Sequence, residues 1–274
     1  MNQIRMIKPA RFVVPDYQHV HFTIVGVGGT GGFVAEYIGG IAQHLRTLGK
    51  RVTGKLIDGD IVTESNVGRS AFYPHDVGLN KATTMARRIS PFMDVVSVPS
   101  YFAPSERSDT GLSTLDWPSI RNPPDITIVV GCVDNPFARQ RIAKAASFSY
   151  QNQYYWIESG NHESAGRVFW GNSKNAPRTV QGRAALLNLV KQVPFPHISH
   201  PEILHADDGD VDPATHEGCL PDMINGRQSL MVNRAMAVAV GQTITRLIVD
   251  RDIDYWKIDL SLDPFVAKPV YLTS

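Results

Sequence analysis

Thr23-Ile-Val-Gly-Val-Gly-Gly-Thr-Gly-Gly32, Leu56-Ile-Asp-Gly-Asp60, Asn66-Val-Gly-Arg69 and then Lys81 form the stretch on which the reading of this chain turns. A short β-rich run, His21 to Gly26, leads into glycines. A helical pattern from Phe33 to Leu48 follows, with apolar residues at Phe33, Ala35, Ile38, Ile41, Ala42 and Leu45 and a stop at Gly49. Strand, glycine turn and helix in that order aim backbone N–H groups and a helix N-terminus at one point, which suits a phosphate. Gly26, Gly28, Gly29 and Gly31 supply the turn. Close helix–strand packing without a nucleotide is the alternative reading and accounts for a minority of such turns.

Working outward, Val52 to Asp58 reads as a second strand, Asn80 to Ile89 as a helix ending before Pro91, and Met93 to Val98 as a third strand. Ser105 to Pro124 is polar and proline-bearing, hence mostly loop. Asp125 to Gly131 is a buried strand, followed by a helix from Pro136 to Phe148 with proline in its first turn. Tyr154 to Glu158 and Arg167 to Trp170 are two more strands. This alternation predicts an α/β fold with a doubly wound, mostly parallel sheet of Rossmann-like form. A Pro/His/Asp/Gly-rich crossover-loop segment follows, with one short helical piece near Arg183 to Val190. A long helix, Ser229 to Val249, and an antiparallel hairpin from Ile253–Ile258 and Phe265–Leu272 complete the pattern. One domain over 1–274 is expected, divided into a nucleotide-binding core (1–170), a crossover-loop segment (171–228) and a C-terminal helix and hairpin (229–274).

Composition narrows the class. With 274 residues, 43% hydrophobic content and a net charge of +1, the chain is an ordinary globular protein with no basic surplus for nucleic acid. Two cysteines, Cys132 and Cys219, cannot build a disulfide framework and point to a reducing compartment. No run approaches ~18 consecutive apolar residues, so no membrane span is expected. The first residues lack the apolar core of a signal peptide. The expectation is a cytoplasmic protein.

The polar residues behind the glycines carry the chemistry. Asp58 and Asp60, at a strand end, are placed to hold ribose hydroxyls, a role common to NAD and ATP sites. Asn66, Arg69 and Lys81 add two cations near the carboxyl edge of the sheet. A dinucleotide would put an uncharged nicotinamide there, whereas cations suit a triphosphate and a departing pyrophosphate. Asp134, in Cys132-Val-Asp-Asn135, stands at the same edge, where a carboxylate suits Mg²⁺. Asp134 or Asn135 as a helix cap is the alternative, and both roles can coexist.

Gly26-Val-Gly-Gly-Thr-Gly31, Asp58-Gly-Asp-Ile-Val-Thr-Glu-Ser-Asn-Val-Gly-Arg69, Gly78-Leu-Asn-Lys-Ala82 and Cys132-Val-Asp-Asn135 follow in the order and spacing of the ThiF/MoeB/HesA superfamily. The chain resembles these adenylating domains of ubiquitin-activating-like enzymes over about residues 20 to 170, and more weakly along Ser229 to Val249. The resemblance is nearer to the ThiF-like proteins of PRTRC-type mobile cassettes than to the zinc-bearing sulfur-transfer members. It implies ATP-dependent adenylation of the C-terminal carboxylate of a small ubiquitin-like protein ending in glycine, with Mg²⁺, in a homodimer. Under it, Gly28 and Gly29 cradle phosphate and Asp58 holds the ribose. Asn66, Arg69 and Lys81 contact phosphates, and Asp134 binds the metal.

Three departures stand out. Two cysteines cannot supply the paired C-x-x-C zinc site of many bacterial relatives. Ser70 occupies a position where glutamine is common. Relatives lend an N-terminal arginine to the partner subunit's site, and Arg5 and Arg11 are the candidates. Cys219, in His216-Glu-Gly-Cys219, lies where thioester-forming relatives keep their acceptor cysteine. A thiolate there would take the acyl group from the adenylate before passing it to a conjugating enzyme. An unreactive cysteine is the other reading, and the better one for Cys132. His197, His200 and His205 with nearby aspartates match no metal spacing, so a polar, mobile loop is expected. An NAD-binding oxidoreductase and a non-catalytic nucleotide-binding scaffold are the rival functions.

Overall fold

The computed structural model describes residues 8–103, 123–147, 153–175, 187–207, 210, 212 and 230–273. Eleven strands are present among them. β1 (Arg11–Val13) and β2 (His19–Val25) precede helix α1 (Gly29–Thr47). β3 (Arg51–Ile57), α2 (Lys81–Ile89), β4 (Asp94–Val98), β5 (Ile126–Gly131) and α3 (Pro136–Ser147) follow. β6 (Tyr154–Asn161), β7 (Ala165–Gly171) and β8 (Leu189–Val190) lead to α4 (Val232–Ile244), then β9 (Asp252–Ile253), β10 (Tyr255–Leu262) and β11 (Phe265–Tyr271).

Eight strands make the main sheet in the order β11-β10-β7-β6-β5-β2-β3-β4. β4, β3, β2, β5 and β6 are mutually parallel, and β7, β10 and β11 continue antiparallel. This is the expected doubly wound α/β sheet with its C-terminal hairpin. The strand order reverses between β2 and β5, and the crevice beyond the carboxyl ends at such a switch point is where α/β sheets bind ligands.

Strict alternation along the central strands builds a core on each face. Phe22, Ile24, Ile128, Val130, Tyr155 and Ile157 pack with α1, α2 and α4. Val25, Val129, Tyr154 and Trp156 face the opposite way, toward Ile142 and Ala146 of α3 and toward Phe195. Both faces of β2 and β5 are therefore buried among the described residues, so the sheet's strand ends are where a ligand would meet it.

Three expectations need correction. Leu189–Val190, expected to end a short helix, is a strand in a second, three-stranded sheet of order β8-β1-β9. The expected long helix is α-helical only to Ile244, and Thr245–Val249 forms a π-helical turn. The histidine-bearing stretch is packed rather than loose. His197 lies 5.4 Å from the Trp156 ring, and His200 lies 4.5 Å from Phe169 and 5.6 Å from Trp256. The apolar bodies of the two rings decided this, and they fill space a polar loop would leave to water. The expected loop Ser105 to Pro124 lies almost wholly outside the described residues. No helix among those described is long and apolar enough to cross a membrane.

Candidate active site

Gly26 follows β2 with φ +84°, and a Cβ there would fall 2.6 Å from the Cys132 carbonyl oxygen. Only glycine lets the turn after β2 lie against the turn after β5. Gly31 is as tightly bound, since its Cβ would meet the Gly26 carbonyl oxygen at 1.9 Å. Gly28 differs. It precedes the first residue of α1, no side chain caps the helix there, and a Cβ would meet nothing within 4 Å. The open space lies at the helix N-terminus, where uncapped N–H groups attract an anion. The glycines thus divide into those that shape the turn and one, Gly28, with open space where a Cβ would stand.

Asp58 locks this turn to the end of β3. One carboxylate oxygen accepts the Val27 N–H at 2.6 Å and the other the Asp60 N–H at 2.9 Å. Burial pushes its carboxyl up to about 6, against the pull of Lys81. Each oxygen keeps a lone pair for a hydroxyl, so the scaffolding role and a ribose contact are compatible.

Lys81 opens α2 and is buried, and its ammonium lies 2.9 Å from Asp60. Asn80 caps α2 by accepting the Thr83 N–H, while its amino group donates to the carbonyls of Asp58 and Asp60. The Asp58-Gly-Asp60 turn and the start of α2 are one hydrogen-bonded unit. Asn66 is buried in the turn Glu64–Asn66, where its side-chain oxygen accepts the Thr63 N–H at 3.0 Å. Arg69 curls back to give its Nε proton to the Ser65 carbonyl at 2.5 Å. Ser70, at the position where glutamine is usual, bonds the Asn66 carbonyl through its hydroxyl.

Asn135 is the cap of α3, accepting the Ala138 N–H at 2.8 Å. That leaves the exposed Asp134 carboxylate without a helix to serve, at the edge where Cys132 abuts the glycine turn. A single carboxylate fits Mg²⁺, which takes one or two protein oxygens and completes its shell with phosphates and water. No group of three or more potential ligands exists among the described residues.

Sequence reasoning missed two residues here. Glu158 ends the parallel part of β6, is 1% exposed and bonds Arg139 at 2.7 Å and the Trp156 indole at 3.1 Å. Burial pushes its carboxyl up to about 7, with Arg139 opposing. Arg139 also donates to the Val133 carbonyl at 2.6 Å, so the pair braces the turn that carries Asp134. A glutamate ending an apolar strand run was the available signal. The second is Asn233, on α4, whose amide bonds Arg69, Thr30 and Asn161. Nothing in its local sequence announced it.

Other candidates fall away from the centre. Burial raises the Cys132 thiol, with Glu158 adding to the effect, so it is a poor thiolate. Arg11 gives its Nε proton to Asp252 of β9 at 2.9 Å, and its guanidinium is held within its own chain. Arg5, His216, Glu217 and Cys219 lie outside the described residues.

Ubiquitin-like modifier-activating enzyme 5 of Drosophila mojavensis is 31% identical over 160 residues, covering 56% of this chain and 37% of that protein. The Gallus gallus protein of the same name is 30% identical over 161 residues with the same coverage. The chain therefore spans little more than a third of the curated relatives it matches. Among solved structures, PaaA superposes with TM-score 0.55 at 20% identity, covering 93% of this chain and 64% of that one. E. coli MccB with ATP gives 0.51 at 17%, covering 92% and 64%. At those identities the structures show a shared fold. Residues 13–219 match the ThiF family, and the chain belongs to it.

Proposed function

We propose that this protein is an ATP-dependent adenylating enzyme that activates the C-terminal carboxylate of a small ubiquitin-fold protein. The observation that carries the reading is that the turn leading to Gly28 is tied through Asp58 to Asp60 and Lys81 on one side and packs against Cys132, two residues before the exposed Asp134, on the other. A hydride-transfer site has no use for that set. The curated relatives are named for activation of a ubiquitin-like modifier, and the MccB neighbours are described with ATP and with MccA. Those names support a carboxylate-bearing polypeptide as substrate.

In this mechanism the carboxylate nucleophile comes from the partner, so the enzyme positions groups and stabilises charge. Gly28 and the first N–H groups of α1 hold phosphate, and Asp58 offers its remaining lone pairs to the ribose. Lys81, Arg69 and the Asn66 amide face the oxygens on which negative charge grows as the carboxylate attacks the α-phosphorus. The bond to pyrophosphate breaks, and an acyl-adenylate remains. Mg²⁺, held by Asp134 and the phosphates, would neutralise charge on the leaving group. Cys219 as thioester acceptor, a conjugating enzyme downstream and a homodimer belong to the same proposal. So does the partition of 1–274 into nucleotide core, crossover segment and C-terminal helix and hairpin.

The test uses α-labelled ATP and a candidate ubiquitin-fold protein ending in glycine. Label retained on the partner as AMP supports the reading. Absence of labelled partner across all such candidates, together with tight NADH binding, rules it out. For Cys219, an enzyme–partner adduct released by reducing agent is expected, and its persistence in Cys219→Ala would remove that assignment.

A further inference from the structure

Asn233 lies in the first turn of α4 and is 3% exposed. Its amide serves three other elements at once. Nδ2 donates to the Arg69 carbonyl oxygen at 3.0 Å. Oδ1 accepts from Asn161 Nδ2, at the end of β6, at 2.9 Å, and from the Thr30 hydroxyl, in the first turn of α1, at 3.3 Å. A Cβ on Gly29 would fall 2.5 Å from Asn233 Nδ2, so the missing side chain at Gly29 is what admits the amide. The next residue, Arg234, lays its guanidinium 4.5 Å above the Phe33 ring and fastens α4 to α1 a second time.

This arrangement solves a problem of assembly. In the proposed site the phosphate cradle comes from residues 28–31 and Arg69 from a turn after β3, two segments far apart along the chain. A phosphate must meet both within hydrogen-bond range. One buried side chain touches both, and it leaves no slack, because a buried amide stripped of its partners would strand the Arg69 carbonyl and the Asn161 amino group. A longer or shorter side chain cannot span the same three bonds.

We propose that Asn233 is a positioning residue that sets Arg69 against the first turn of α1, so that both address the same phosphate group. The inference rests on the nucleotide reading given above and adds the side chain that aligns its two halves. Asn233 does not touch the reacting atoms. It acts through the Arg69 backbone and through Thr30.

The test compares Asn233→Ser and Asn233→Ala in the full chain. ATP and adenosine binding are measured by calorimetry, and thermal unfolding is followed in parallel. Adenosine presents base and ribose without phosphates. ATP affinity should fall about tenfold or more in both variants, the scale of a lost buried hydrogen bond, while adenosine affinity stays within about twofold. Serine keeps an acceptor for Thr30 or Asn161 but cannot reach the Arg69 carbonyl, so it decides the matter if the alanine variant does not fold. Equal losses for ATP and adenosine, or no loss for either, overturn the positioning role and leave the nucleotide reading standing. A wild-type chain that binds no ATP overturns both.

Discussion

The Lys81 ammonium sits 2.9 Å from the Asp60 carboxylate, whose other oxygen accepts the Tyr101 hydroxyl. The buried Lys81 ammonium is thus compensated by the Asp58-Gly-Asp60 turn, and in the proposed reaction phosphate oxygens would share it. An exposed lysine would be a solvated point charge of little consequence, but this ammonium is largely withdrawn from water, where its field is stronger. Lys81→Ala should lower the rate of adenylate formation by about 10²–10³, the scale of losing one preorganised donor to developing charge. Single-turnover measurement at saturating ATP checks this, and a loss confined to KM would show ground-state binding instead.

Asn135 caps α3, and Asp134 is the proposed Mg²⁺ ligand, so substitution should separate the two roles. Asn135→Ala removes the cap of α3 and should cost about 1 kcal/mol of stability, measured by denaturant unfolding. Asp134→Asn should leave the unfolding midpoint in place and raise the Mg²⁺ concentration that adenylation needs. A destabilised Asp134→Asn protein would mean that its carboxylate serves the fold.

The glycines divide in the same way. Gly31→Ala drives a Cβ to 1.9 Å from the Gly26 carbonyl oxygen, and should destabilise the protein by about 1–3 kcal/mol or more. Gly28→Ala has open space for its Cβ, so the protein should fold normally and bind ATP more weakly. Unfolding curves and ATP titrations on the two variants should therefore show opposite patterns.

How much of this was legible in the sequence follows from how local each signal is. Gly26 to Gly31, Asp58 and Asp134 sit in short motifs just after strands and Lys81 opens a helix, and the parallel sheet followed from alternating patterns around them. β1 was invisible because Arg11–Val13 is three residues long and gains its identity from Leu189 and Ile253, far along the chain. Asn233 sits in an alanine- and valine-rich helix and meets Thr30 across 203 positions, so only the folded chain shows its purpose. His197 and His200 suggested a polar loop because composition counts their nitrogens and not the aromatic rings they stack on.

Glu158 gives the fold a pH dependence with a definite sign. Its carboxyl is raised from 4.5 to about 7 by burial, so the folded chain holds this proton more tightly than the unfolded chain. The associated stability is complete below about 4.5 and is lost as pH rises through about 7. Asp58, raised from 3.8 to about 6, acts in the same direction over a lower window. Burial lowers His19 and His197, which oppose this below 6.5, so the comparison is with Glu158→Gln rather than with pH alone. Between about pH 5 and 8 the unfolding midpoint of Glu158→Gln should gain steadily on wild type. If wild type gains instead, Arg139 outweighs burial at this carboxylate.

Exchange of labelled pyrophosphate into ATP tests the central claim most directly, because it reports reversal of adenylate formation and nothing later. The account predicts exchange that requires both Mg²⁺ and a ubiquitin-fold protein with its C-terminal glycine intact, and that disappears in Lys81→Ala. Exchange that proceeds equally well without the partner, or that survives in Lys81→Ala at the wild-type rate, contradicts it.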